Sequence, residues 1–457
     1  MKLRTLILLM TLAIVTGSFS AEKVVVWSSL PDTKALLVKK NIKLNTKPLQ
    51  IKNKVEIFPE QTCQSVEGVG AALTHSSAYV FHHNLTAERR DSLFRVLFTP
   101  EGIGINYTRL CIGASDFAFN LFSYSETEDF SLSNFNIQED EKDVIPMLKE
   151  ILAINPNLQI LASPWSPPGW MKTSGSMVGG KLRPDCYDVY AEYLIKYIEA
   201  YRQHGITIHA LTVQNEPEYG TAAYPCMDMT AKEQQIFIRY FLGPKMHKKG
   251  LNTKIILFDH NCDNPDYPIS ILNDPETKKF VDGSGFHLYK GEISALCKVH
   301  EAHPDKNIYF TEQSGGGWAP DFDQNVRWYV GELFAGAMNC WSKNVLLWNL
   351  ALDENDGPKN FGCQNCWGVV RVASNGKIEK NAEFYAIGHY GKVVRPGAIR
   401  LVSNQDILKG VAFRNPDGSF AYLAVYYGTV PETIGVQCGN KSFLYTFKPG
   451  EVVSFLW

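Results

Sequence analysis

Past residue 20 the chain has no apolar run long enough to cross a bilayer, so a spanning helix is not expected in the body of the protein. Net charge is almost absent as well: 45 Lys and Arg against 47 Asp and Glu leave a formal −2 over 457 residues. That gives no electrostatic reason to expect nucleic acid or an anionic membrane surface, and neither nucleic-acid binding nor stable membrane insertion is expected. No glycine-rich phosphate fingerprint follows the first strand-like stretch, which argues against a dinucleotide-binding sheet. Metal-type cysteine spacing is equally scarce. Cys363-Gln-Asn-Cys366 is a lone CxxC without a second pair, and it reads as a local disulfide or two free thiols rather than a zinc site. The other cysteines show no spacing that fixes their pairing, and nothing in the sequence sets an oligomeric state.

What is present begins with a leader pattern. Lys2 and Arg4 precede an apolar run from Leu6 to Val15, followed by Gly17-Ser18-Phe19-Ser20-Ala21. This predicts a signal peptide over residues 1–20 and an exported mature protein. The apolar run is too short for a membrane anchor, and no Cys follows it to carry a lipid.

Residues 21–66 and 394–457 read as strands and turns without a helical period. Val24 to Trp27, Val55 to Phe58, Gly410 to Phe413, Ala421 to Tyr427 and Val452 to Trp457 are the strand candidates, with Asn415-Pro-Asp-Gly418 as a turn. Together the two chain ends predict one β-sandwich. Residues 67–393 instead alternate eight strand-like runs with helical stretches such as Thr86–Phe98, Glu139–Ile154, Tyr187–His204, Thr230–His247 and Asn325–Trp341. Eight such repeats predict a (β/α)8 TIM barrel, in the α/β class.

Seven of the eight runs end in chemistry. At their C-terminal positions stand Arg109, Trp165, Asn215-Glu216, Asp259-His260-Asn261, His287 with Tyr289, Glu312-Gln313 and Trp348-Asn349. A barrel brings all of these to one mouth. Glu216 and Glu312 close the fourth and seventh runs, so they can face each other across a narrow barrel. Two carboxyls about 5–5.5 Å apart are the acid/base and nucleophile of a retaining glycosidase. Glu216, beside aromatic walls, is expected to be held neutral as the acid. Glu312 is the expected nucleophile, with Arg109 and Tyr289 stabilising its charge, and Asn215 can bond a sugar 2-OH. Three other readings compete: a carbohydrate-binding barrel without activity, a phosphate cradle at Gly315-Gly-Gly317, and a metal site of Asp259, His260 and His287. No Lys or Arg stands near the glycines, and the Asp and His spacing is not distinctive for a metal.

The run DFAFNLFSYSETEDFSLSNFNIQEDE (116–141), then ILASPWSPPGWMKTSG, LTVQNEPEYG, FHLY, FTEQ and WNLAL, resembles the family 30 glycoside hydrolases, in the branch of glucosylceramidases and endo-β-1,6-glucanases. The resemblance implies the same barrel and side sandwich, retaining hydrolysis, and no metal or other cofactor. By motif it implies Glu216 as acid/base and Glu312 as nucleophile. It implies Asp116, Trp165 and Trp348 around the glucosyl ring, with Arg109, Asn215, His287 and Tyr289 as the shell about the carboxylates. The chain departs from the lysosomal enzyme's pattern at Leu288, at Asp259-His-Asn and at Gln313–Trp318. The expected substrate is a β-glucan or β-glucoside, with β-1,6-glucan favoured over glucosylceramide. The loops after the strands mix Trp with Asn, Asp and Gly, which suits a sugar groove better than a lipid-docking rim.

Overall fold

The computed structural model describes residues 23–404 and 407–457. The predicted signal peptide lies outside the described residues. Among the described residues no helix is long and apolar enough to cross a membrane.

Eight parallel strands close into a barrel in chain order. They are β1 (Gly68–Ala72), β2 (Tyr107–Ile112), β3 (Gln159–Pro164), β4 (Ala210–Thr212), β5 (Lys254–Cys262), β6 (Gly283–Gly291), β7 (Asn307–Glu312) and β8 (Ser342–Asn349). Each falls within or overlaps a run predicted from the sequence. Those runs are almost wholly apolar because both faces of a barrel strand are covered, by the interior on one side and by helices on the other. Tyr107, Leu161, Ala210, Ile256, Tyr309 and Leu346 form a buried layer of their own inside the barrel, while the outward side chains join the large core under the helices.

The helices start where their caps say they should. Thr86 accepts from Arg89 N, and Thr230 forms a full capping box with Glu233, whose carboxylate accepts from Thr230 N at 2.7 Å. The predicted helix over 139–154 is two, Gln138–Lys142 and Val144–Ile154, broken at Asp143. Asp143 is drawn away by His82 and His83, which both bond its Oδ1, at 2.7 and 2.9 Å. Just before the break, buried Asp140 accepts from Tyr124, Tyr201 and His75 at 2.6–2.7 Å. Those bonds moor the long loop that begins at Asp116.

The two chain ends form the predicted sandwich, but from one continuous nine-stranded sheet. It is folded over on itself. Phe443, in the edge strand Lys441–Phe447, packs at 5.0 Å on Phe455 of Val452–Leu456, six places away in strand order. Both halves share one core of Val24, Val55, Val436, Phe443, Phe447 and Phe455.

The barrel's last helix, Ala382–Gly391, carries the joint between the two parts. Buried His389 bonds Ser454 at 2.9 Å and Ser29 at 2.8 Å, both in sandwich strands. Burial lowers its pKa from 6.5 to about 3, so it is neutral in the fold. An unfolded chain takes up that proton below pH 6.5 and the folded one does not until about pH 3, so this site removes stability as pH falls through that window. Melting temperature measured from pH 7 to pH 4 is expected to fall less steeply for His389→Gln than for the wild type; equal slopes would refute the assignment.

Candidate active site

The site is built around Arg109 on β2, which is fully buried. Its Nη1 donates to Glu312 Oε2, its Nη2 to Asn215 Oδ1 and Asp259 Oδ2 at 2.8 Å each, and its Nε to Ser163 Oγ at 3.0 Å. One guanidinium thus holds side chains from β3, β5, β7 and the loop after β4 in fixed relation. Its carbon lies 4.9 Å from the Trp165 ring centre and 5.6 Å from that of Trp348, a cation–π arrangement. The two indoles stack at 5.0 Å. Burial disfavours the Arg109 charge, but Asp259 and Glu312 more than offset it and leave the group firmly protonated.

Asp259 reaches this position through a distorted backbone. Strict alternation from inward-facing Ile256 would point Phe258 into the barrel and Asp259 out. The register slips between Phe258 and His260, and Phe258 and Asp259 both take positive φ, 72° and 62°. The bulge reverses the pair. Phe258 turns to the helix side against Tyr267, and Asp259 turns inward. There its oxygens accept from Arg109, from Thr212 at 2.7 Å, from Thr311 at 2.6 Å and from His287 Nε2 at 3.0 Å. Burial alone would raise its pKa; Arg109 and His287 prevail and hold it well below the ordinary value.

The two glutamates meet at the same histidine. His287 Nδ1 is 3.2 Å from Glu216 Oε1 and 3.8 Å from Glu312 Oε1. The two oxygens can be no farther apart than those distances laid end to end. That bound admits the separation of about 5–5.5 Å used for direct nucleophilic attack. Tyr289 OH donates to Glu312 Oε1 at 3.0 Å. Glu216 sits at positive φ, 47°, with its N–H bonded to Asp259 O at 3.0 Å. The bulge therefore also sets the loop that carries it.

Protonation differs from the expectation. Glu216 was expected to be held neutral by aromatic walls. Burial does push it that way, but His260 and His287 outweigh burial and bring its pKa down to about 2. Burial opposes a charge on His287, whereas Glu312, Asp259 and Glu216 favour it, and its pKa rises to about 9. The shared proton rests on the imidazole, and the carboxylate beside it is ionised. Asp116 shows the opposite behaviour: burial and the Glu312 charge lift its pKa well above the usual range, so it stands as a neutral acid.

All nine residues anticipated for the site converge here. Asp116, Trp165, Asn215, Glu216, Tyr289, Glu312 and Trp348 line an open cavity of about 780 Å³, while Arg109 and His287 lie directly behind it with no exposed surface. Asp259 was anticipated at the barrel mouth and as a candidate metal ligand. Its oxygens are already engaged by Arg109, Thr212, Thr311 and His287, so the cluster with ligand geometry is instead Glu216, His260 and His287. A cation there would occupy the Glu216 oxygen that faces His287. Gly315-Gly-Gly317 is not arranged as a phosphate cradle. A Cβ on Gly315 would lie 1.9 Å from Glu383 Oε1, and one on Gly316 would lie 2.2 Å from the Trp318 ring. The glycines allow close packing beneath the loop.

A parallel eight-stranded barrel with two facing carboxylates at its C-terminal mouth defines a glycoside hydrolase. The chain belongs to glycosyl hydrolase family 30, whose TIM-barrel domain model matches residues 66–394. It is 34% identical over 360 residues to an endo-1,6-beta-D-glucanase of Neurospora crassa, covering 76% of this chain and 73% of that one. To the lysosomal acid glucosylceramidase of Mus musculus it is 29% identical over 432 residues, covering 87% and 82%. A solved endo-beta1,6-glucanase superposes with a TM-score of 0.88 at 31% identity, over 96% of this chain and 99% of that one.

Removing the Asp259 charge takes away one of the anions that stabilise protonated His287. NMR titration of the His287 ring is expected to show its pKa moving from about 9 toward 6.5 in Asp259→Asn. An unmoved titration would refute the placement of the charge.

Proposed function

We propose that the protein hydrolyses β-D-glucosidic bonds with retention, with Glu312 as nucleophile and Glu216 as acid/base, and that its substrate is a β-1,6-glucan. The observation that carries the mechanism is the single nitrogen, His287 Nδ1, standing 3.2 Å from one glutamate and 3.8 Å from the other. Arg109 and Tyr289 both donate to Glu312 and aim it, as a nucleophile requires. Its attack forms a glucosyl ester and expels the aglycone oxygen, which takes a proton from Glu216. Water, deprotonated by Glu216, then releases the sugar as its β-anomer. Before the first step the proton crosses from His287 to Glu216. A sugar filling the cavity excludes water and favours the neutral pair over the ion pair. Asp116, held neutral, donates to a hydroxyl of the bound ring, which Trp165 and Trp348 flank, and the Asn215 amide donates to the 2-OH.

Support for β-1,6-glucan comes from the glucanases that this chain resembles and from the cavity's outer part. Glu218, Asp263, Asn264 and Lys290 line it there, donors and acceptors for further sugar hydroxyls. Glucosylceramide is the second reading, favoured by the exposed rings of Trp318 and Phe361 at the rim. The leader pattern supports export, so the substrate would be met outside the cytoplasm.

Glu312→Gln is expected to lose about 10⁴-fold or more in kcat. NMR of the first-formed sugar should show the β-anomer; an initial α-anomer would overturn the mechanism. Products from pustulan and from detergent-dispersed glucosylceramide decide the substrate, short gentio-oligosaccharides from pustulan being expected and turnover of the glycolipid alone refuting it. The basic limb of kcat/KM should follow loss of the proton shared by His287 and Glu216, so His287→Gln is expected to move it to lower pH. A limb that stays in place would refute the shared proton.

A further inference from the structure

The outer cavity has two unlike walls. One is the polar set just described, and the other is Trp318, Phe361, Gly362 and the Cys363–Cys366 disulfide. This second wall consists of two segments held edge to edge. Gly317 N donates to Asn365 O at 2.8 Å and Trp367 N to Gly315 O at 2.9 Å, with a bridge between Gly316 and Cys366. Asn365 lies inside the ring that the disulfide closes, so the contact fixing Gly317, and hence Trp318, comes from a cross-linked loop. On its other flank the same segment meets the sugar-facing part of the site. Asn360 N donates to Asp116 O at 2.7 Å, and a Cβ on Gly362 would lie 2.6 Å from that of Asp116. Trp318 and Phe361 are 51% and 76% exposed, so their rings present free faces where the substrate continues past the reacting bond.

We propose that the Cys363–Cys366 disulfide is a specificity element of this enzyme, holding the Trp318–Phe361 wall against the part of the substrate beyond the scissile bond. The inference rests on the hydrolase reading above and deepens it on the aglycone side. A dithiol can open the link: the sulfur–sulfur bond breaks, two thiols form at Cys363 and Cys366, and the dithiol closes into its own disulfide. Cys363 is partly exposed, so the reagent has access. With the ring open, Asn365 loses the short closure that fixes its carbonyl, and the wall slackens while Arg109, Glu216 and Glu312 keep their own bonds.

The test compares kcat/KM on pustulan with kcat/KM on an aryl β-glucoside, which extends little beyond the reacting bond. The ratio is expected to fall about 3- to 10-fold, the scale of an aromatic contact, in Cys363→Ser/Cys366→Ser and in dithiol-treated wild type. Phe361→Ala should move it in the same direction. Alkylation with peptide mapping shows whether Cys363 and Cys366 were reduced while Cys297–Cys340, the other disulfide among the described residues, stayed closed. Should the double variant not fold, the reduced wild type and Phe361→Ala still decide. An unchanged ratio with Cys363 and Cys366 alkylated would overturn the proposal. Failure of the oxidised wild type to cleave either substrate would instead overturn the hydrolase reading.

Discussion

The contact on which the structure depends is the buried pair of Arg109 and Asp259, 2.8 Å apart with neither side chain exposed. Isolated burial of either charge costs several kcal/mol or more, and pairing recovers that only when the remaining donors and acceptors are also met. Here Arg109 also donates to Ser163, Asn215 and Glu312, and Asp259 also meets Thr212, Thr311 and His287. The network serves position more than stability. A well-packed apolar barrel mouth would be as stable, but it would not hold two carboxylates around one imidazole.

The proton beside Glu216 is therefore a property of a pair. A glutamate against apolar walls would retain its own proton. Glu216 instead faces His260 at 3.6 Å and His287 at 3.2 Å, and the imidazole keeps the proton. Asp259 supports this by adding a third anion, at Nε2, to the two glutamates that face Nδ1 of His287. The positive backbone angles at Phe258 and Asp259 are a strain that the surrounding hydrogen bonds hold in place.

Most of this was legible in the sequence, and the exceptions share a cause. Barrel strands announce themselves as short apolar runs, and polar residues at their ends have one place to go, so Glu216, Glu312, Arg109 and the two tryptophans were identifiable. Asp259 as the hub was not, because a bulge breaks the alternation from which facing is read. The protonation of Glu216 was missed for a related reason: which side chain stands within 3.2 Å is a tertiary fact. The break at Asp143 likewise depends on two histidines some 60 residues earlier. The three glycines gave an ambiguous signal, since flexibility for an anion and close packing on Glu383 call for the same residue.

Among the described residues the sandwich contributes no side chain to the cavity, yet the helix Ala382–Gly391 connects it to the loop after Glu312. At one end of Ala382–Gly391, Glu383 lies beneath Gly315 and accepts from Tyr329 OH at 2.9 Å. At the other end His389 is held between Ser29 and Ser454. Burial lifts Glu383 to about 7 and lowers His389 to about 3, so below neutral pH both ends are uncharged and neither carries an unpaired charge into the core. Gly315 stands three residues after Glu312, and Trp318 three residues further. A displacement of the helix would thus reach Glu312 and Trp318 together. The folded-over sheet braces that helix from outside the barrel, which gives the side domain a mechanical part in an active site it never touches.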